Sequence, residues 1–147
     1  MPATTRSDPY KNYSFIVEID GIPASAFKSV SGLAAEVEVI EYREGSDNIT
    51  SPRKLPGRVR YPNVRLSRGL TTSRDLWDWW ETIVNGAVER RDVAIVLLDD
   101  ARNAVLRWEL RDAWIARFEA PADLDATGNE VAIETIELAH EGFRLVT

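Results

Sequence analysis

Any catalysis by this chain would have to start from His140, the only histidine, because no cysteine is present to serve as nucleophile or thiolate ligand. One imidazole cannot build a histidine metal cluster, and a nucleophile–base relay would rest on it alone. Beside Glu141-Gly142 it reads as a structural or surface residue. Glu134, Glu137 and Glu141 do not share one strand parity, so they set up no facing acid–base pair. Asp99-Asp100 falls in a turn, where Asp is favoured for backbone reasons. Asp123 and Asp125 offer oxygen ligands to calcium, but without the spaced ligands and closing Glu of an EF-hand. Neither a GxGxxG nor a P-loop pattern occurs. No catalytic, cofactor-binding or metal residue is expected. What remains is the chemistry of contacts.

Charge is more informative by segment than in total. The net charge is −6, yet residues 43–74 hold eight basic residues against two acids and stand at +6, leaving −12 for the rest. Such a basic segment can mark nucleic-acid binding. Here it has few neighbouring aromatics, and the remainder of the chain repels phosphate. Two other readings are open: a solvated mixed-charge surface, or a basic segment of one copy meeting the acidic surface of another.

The elements that position these residues are mostly strands. With 147 residues, 44% of them hydrophobic, the chain is expected to form one domain, 1–147, with a sizeable core. Residues 1–12 read as a polar arm. Tyr13, Phe15, Val17 and Ile19 alternate with polar residues as a half-buried strand, with Ile16 on the wrong face. Asp20-Gly21 signals a turn, and a second extended region runs from Phe27 to Tyr42 with a break at Ser31-Gly32. Glu44–Gly57, rich in turn formers, reads as a loop, long enough to be functional. Val59–Arg68 resumes as strand, restricted by Pro62 to a bulge or edge.

Ser73–Gly86 is the one clear helix. Leu76, Trp80, Ile83, Val84 and Ala87 make its apolar stripe, with Trp77 and Trp79 flanking. Thr72 and Asp75 have capping-box spacing, and Asn85-Gly86 suits a left-handed cap. VAIVLL at 93–98 predicts a strand buried on both faces. Asp99–Asn103 is a hairpin turn, and Val105–Phe118 is the longest strand, with Leu106, Trp108, Leu110, Trp114 and Phe118 on one parity. Glu119–Asn129 is a loop, Val131–His140 the last long strand, and Phe143, Leu145 and Val146 tie the terminus down. Trp80, Trp108 and Trp114 are assigned to the core rather than to sugar or base stacking. No run of 18 apolar residues spans a membrane, and MPATTRSDPYKN lacks the apolar core of a signal peptide. Asn12-Tyr13-Ser14 and Asn48-Ile49-Thr50 therefore read as chance matches to the glycosylation pattern.

Six blocks follow one another: DPYKNYSFIVEIDG, VSGLAAEVEVIEYREGSDN, KLPGRVRYPNVRLSRG, DLWDWW, VLRWELRDAW and GNEVAIETIELAHEG. Together they resemble the contractile-phage tail-tube protein family, which includes inner-tube proteins of phage-tail-like contractile injection systems. The combination is specific, although no single block is.

The resemblance implies a mainly β subunit, a β-sandwich or barrel-like tail-tube fold with one short α-helix on its flank. Six subunits would form a ring whose inner sheets join into one wide β-barrel, and stacked rings would form a tube inside a contractile sheath. The segment 43–57 is then the inter-subunit loop, with Arg43, Glu44, Asn48, Arg53 and Lys54 as contact candidates. The implied partners are further copies of the chain, sheath protein, baseplate or tube-initiator proteins, and cargo or DNA in the lumen, with no cofactor and no stable membrane insertion. Assembly in the bacterial cytoplasm, followed by incorporation into a virion or phage-tail-like particle, is expected. Two rivals are a baseplate tube initiator of the same fold, and a monomeric β-domain binding a small ligand or glycan through Trp77, Trp79 or the Asp123–Asp125 loop.

Overall fold

The computed structural model describes residues 14–25, 27–45, 51–121, 126–128 and 131–146, with the backbone alone at 24 and 25. The proposed arm at 1–12, Asn48 and both aspartates of the 123–125 loop lie outside the described residues. In chain order the elements are β1 (Phe15–Ile19), β2 (Ile22–Ser25), β3 (Ser29–Ser31), β4 (Glu36–Tyr42), β5 (Arg53–Arg60), β6 (Val64–Gly69), α1 (Asp75–Val84), β7 (Arg91–Leu98), β8 (Ala104–Glu119), β9 (Ile133–Ala139) and β10 (Phe143–Val146). No helix among the described residues is long and apolar enough to cross a membrane.

Eight strands form one antiparallel sheet in the order β2-β1-β7-β8-β9-β6-β3, with β10 added beside β8. The sheet turns into two layers because β8 serves both. Its first part pairs with β7 and with β10, and Trp114–Glu119 pairs with β9. The turn falls at Asp112, whose φ of 51° accompanies a register slip opposite Arg91 and Val93. A bulge of this kind adds one residue to a strand and exchanges its faces. Inward-facing Leu110 is therefore followed by inward-facing Ala113 and Ile115, not by Trp114. The single parity expected over Val105–Phe118 does not survive this bulge, and Trp114 lies half-buried on the opposite face.

One core fills the space between the layers. Val17, Ile19, Val93, Ile95 and Leu110 meet Val64, Leu66, Ile115, Ile136 and Leu138, and Leu76 and Trp79 of α1 close the opening. Trp79 is 1% exposed and Trp77 41%, so the side chain expected to flank the stripe is in fact its anchor. Its indole N–H donates to the Glu89 carbonyl at 2.7 Å, and the Arg91 guanidinium lies 5.6 Å from its ring. Trp80 is half-buried against the core, and Val84 is exposed. The capping box does not form: Arg74 is the N-cap without a side-chain cap bond, and Ser73 Oγ accepts only a long bond from the Asp75 N–H. The other end behaves as expected. Gly86 has φ 79°, its N–H donates to Ile83 and that of Ala87 to Thr82, the paired bonds of a Schellman cap.

Ile16, Ala94, Val96 and Leu98 form a smaller cluster on the far face of the β1–β7 layer, so 93–98 is buried on both faces as expected. Arg107 pairs with Val96 and reaches across β7 to Glu18 at 2.8 Å. Glu109 receives Arg107 at 3.0 Å and Arg144 at 3.6 Å, which makes a chain of alternating charge over β1, β7, β8 and β10. The hydrogen bond to Glu18, then that to Glu109, raises the Arg107 guanidinium above its usual value.

Candidate assembly interface

β4 and β5 stand apart as a two-stranded sheet of their own. This corrects the reading of 44–57 as a loop over its last part, 53–57. Pro56 and Gly57 look like turn formers, yet Arg53–Arg60 is strand, paired through Tyr42↔Arg53, Glu41↔Lys54, Ile40↔Leu55, Val39↔Pro56, Val37↔Val59 and Glu36↔Arg60. Proline is tolerated because each strand of an isolated ribbon has a free edge. Gly57 is needed at the bulge: a Cβ there would sit 3.0 Å from the Glu38 carbonyl and from Ile40 Cδ1. β5 and β6 are likewise separate strands, divided at residues 61–63.

The pairing register sorts the ribbon into two faces. Val37, Val39, Pro56 and Val59 share one, and Ile40, Tyr42 and Leu55 the other, with the large apolar side chains among them between 46% and 60% exposed. The charged pairs divide likewise: Glu41 lies opposite Lys54 on the first face, and Glu36 pairs with Arg60 on the second. Every residue of β4 is exposed, and in β5 only Gly57 is partly covered. A two-stranded ribbon is marginal alone in water, and large apolar side chains exposed on both of its faces mark an interaction site. The ribbon's outer edges pair with no other strand among the described residues, and such edges are a template for further pairing.

Of the expected contact residues, Arg43 and Glu44 follow β4 while Arg53 and Lys54 begin β5, so the register brings these four to one end of the ribbon. Tyr42 Oη donates to Glu44 at 3.4 Å there. The exposed apolar residues behind them escaped the sequence reading. Their signal was the alternation of Val37 and Val39 with charged neighbours, hidden in β5 by the bulge at Gly57–Arg58 and by its turn-forming composition.

The residues that could have done chemistry are placed structurally. His140 Nδ1 accepts from the Gly142 N–H at 3.1 Å, which leaves Nε2–H to donate to the Pro62 carbonyl at 3.1 Å. Its ring packs with Tyr61 and Phe143. Glu134 is buried against Arg68, Glu137 accepts from Asn63, and Asp99 accepts from the Asn103 N–H to close its turn. These groups are dispersed.

Residues 11–144 match the family described as T4-like virus tail tube protein gp19. The chain belongs to this tail tube family. Its role is that of a structural tube subunit and not of an enzyme. Solved structures agree over nearly the whole length. A chain of the sheath-tube complex of an extracellular contractile injection system, PVC, in its extended state shares 32% identity, with a TM-score of 0.83 over 94% of this chain and 91% of that one. A chain from the tube-terminating cap of the anti-feeding prophage, AFP, shares 30% identity, with a TM-score of 0.87 over 99% and 96%. A chain from the AFP baseplate shares 29% identity, with a TM-score of 0.84 over 96% and 97%. A comparison with curated protein sequences returned no match. The mainly β tube fold with one flanking helix, expected from the sequence, is the fold found.

Proposed function

We propose that this tube subunit closes into hexameric rings, that the rings stack into the inner tube of a contractile injection particle, and that the β4–β5 ribbon is the segment handed from one copy to the next. The single observation that carries this reading is that the ribbon's apolar side chains are uncovered, so a lone subunit leaves them in water. Ring closure joins two different surfaces of identical subunits, and a charge-balanced ribbon on an otherwise acidic chain supplies one such unlike surface. Arg43, Glu44, Asn48, Arg53 and Lys54 are the proposed contact residues, the described four at the ribbon's end, with the exposed Val37, Val39, Ile40, Leu55 and Val59 along it. The segment acting between subunits is thus 36–60 rather than 43–57.

Sheath and baseplate are the further partners. The similar chains come from sheath-tube, cap and baseplate assemblies, which supports this reading. The tube acts mechanically: sheath contraction drives it through a target envelope while cargo or DNA occupies its lumen. Assembly precedes release, inside the bacterial cytoplasm. Light scattering of the purified chain with negative-stain microscopy, alone and with assembled baseplates, tests the proposal. Rings or stacked tubes are expected. A strict monomer under both conditions overturns it.

A further inference from the structure

We infer that the neutral imidazole of His140 is a latch on the root of the β4–β5 ribbon, opened by protonation, so that assembly weakens as the medium turns acid; this rests on the assembly role proposed for the ribbon above. Among the described residues no other strand pairs with β4 or β5. The direction in which the ribbon projects is therefore set at its two roots, residues 32–35 and 61–63. The roots press on each other, since a Cβ on Gly32 would collide with the Asn63 carbonyl.

The exit root is gripped residue by residue from β9, β10 and the turn between them. The Tyr61 ring packs edge-on against Phe143, with centroids 5.6 Å apart, and tilted against His140 at 5.8 Å. The Pro62 carbonyl accepts from His140 Nε2–H at 3.1 Å, and the Asn63 side-chain amide donates to Glu137 at 3.1 Å. His140 thus holds two of three consecutive residues, and it is the one histidine of the chain. Histidine is also the side chain whose ordinary titration falls between about pH 5 and 8.

The ring donates and accepts at once. Nδ1 accepts from the Gly142 N–H at 3.1 Å while Nε2–H donates to Pro62, an arrangement open only to the neutral ring. Turning the ring over does not rescue the charged form, because both of its nitrogens are then donors. The turn is held in place beside it. The Arg111 N–H donates to the Gly142 carbonyl at 2.9 Å, the Glu141 N–H donates to the Arg111 carbonyl at 3.0 Å, and a Cβ at Gly142 would lie 3.1 Å from the Tyr61 ring. Two facing donors can then separate only if the imidazole leaves its place between Gly142 and Pro62.

The neighbouring charges act in the same sense. From β8, the Arg111 guanidinium donates to the Glu141 carbonyl at 3.1 Å, so an imidazolium in the latched position would stand beside a second cation. From β9, Glu137 is engaged by Asn63. Glu141, exposed on the turn itself, offers its carboxylate to an imidazolium that has swung out. The latch is closed above the ordinary histidine range and opens as the pH falls through it.

With one histidine in the chain, NMR of histidine-labelled protein reads the latch directly, in solution for subunits and in the solid state for tubes. At about pH 7.5 the expected ring is neutral and protonated at Nε2; by about pH 5.5 the Gly142 bond is lost and the ribbon amides of Val37 and Val59 move more freely. A neutral ring protonated at Nδ1, or ribbon motion that ignores the ring's titration, overturns the latch. Over the same range the tube yield of the unmodified chain should fall several-fold. His140→Asn, which can keep the Gly142 bond, and His140→Gln, which can keep the Pro62 bond, should give lower yields that no longer follow pH. An unmodified chain indifferent to pH, or variants that lose yield as steeply as it does, also overturns the proposal. If neither variant folds, the NMR titration of the unmodified chain decides. Failure of the unmodified chain to form tubes at any pH, with or without baseplates, counts against the ring reading, while the titration still tests the grip on the ribbon's root by itself.

Discussion

Arg68 and Glu134 face each other across β6 and β9 on the inward side of the sheet, 2.5 Å apart, with their side chains 6% and 7% exposed. The Phe27 ring lies 5.8 Å from the guanidinium, and Arg68 Nη2 has no hydrogen-bond partner among the described residues. An ion pair so enclosed adds little net stability, because desolvating both charges offsets their attraction, but neither partner tolerates loss of the other.

Glu134→Leu is therefore expected to lower stability by about 3–5 kcal/mol, since it strands the Arg68 charge. The double replacement Arg68→Met with Glu134→Leu recovers most of that loss. Urea unfolding of both variants checks this. Equal destabilisation by the single and double changes would mean that packing, not charge, holds the site.

Trp79→Ala removes the largest fully buried side chain and its bond to the Glu89 carbonyl, and is expected to cost about 3–5 kcal/mol. Trp77→Ala gives up an edge contact with Phe118 and an exposed bond to Glu81, and should cost about 1 kcal/mol. Thermal unfolding ranks the two.

Gly32 has φ 82°, and a Cβ there would lie 2.3 Å from the Asn63 carbonyl, where the chain enters and leaves the ribbon. Gly32→Ala should destabilise by about 1–3 kcal/mol through backbone strain and displacement. Gly86→Ala, with a similar φ but open space around it, should cost about 1 kcal/mol. Similar losses for both would show that the close approach to Asn63 has no energetic weight.

The ribbon variants separate folding from assembly. Arg53→Glu with Lys54→Glu, and independently Ile40→Ser with Leu55→Ser, should leave subunit stability within about 0.5 kcal/mol because these positions are exposed. Both should reduce tube length and yield in electron micrographs. Tubes of normal length from the two pairs together would remove the ribbon from the assembly.

Much of this architecture was legible in the residues because burial and alternation coincide where no bulge intervenes. β1, the doubly buried β7 and the Gly86 cap followed from local pattern. Failures fall where one residue shifts the register: Asp112 reverses the faces of β8, and an extra residue at Gly57–Arg58 breaks the alternation of β5. Trp79 was misplaced because three tryptophans in four positions leave the stripe undetermined, and only the Glu89 carbonyl and Arg91, supplied by the returning chain, choose among them. The contact candidates come from charge and family resemblance, whereas the exposure of the ribbon's apolar side chains needed the three-dimensional structure.

Because β8 is a member of both layers, neither layer can detach while the other stays intact. Separating them exposes the shared core in one step, so the subunit should melt as a single cooperative unit, with calorimetric and van't Hoff enthalpies equal. In the tube proposed above, which acts under load, that coupling removes the gradual route to failure. A subunit yields as a whole or not at all.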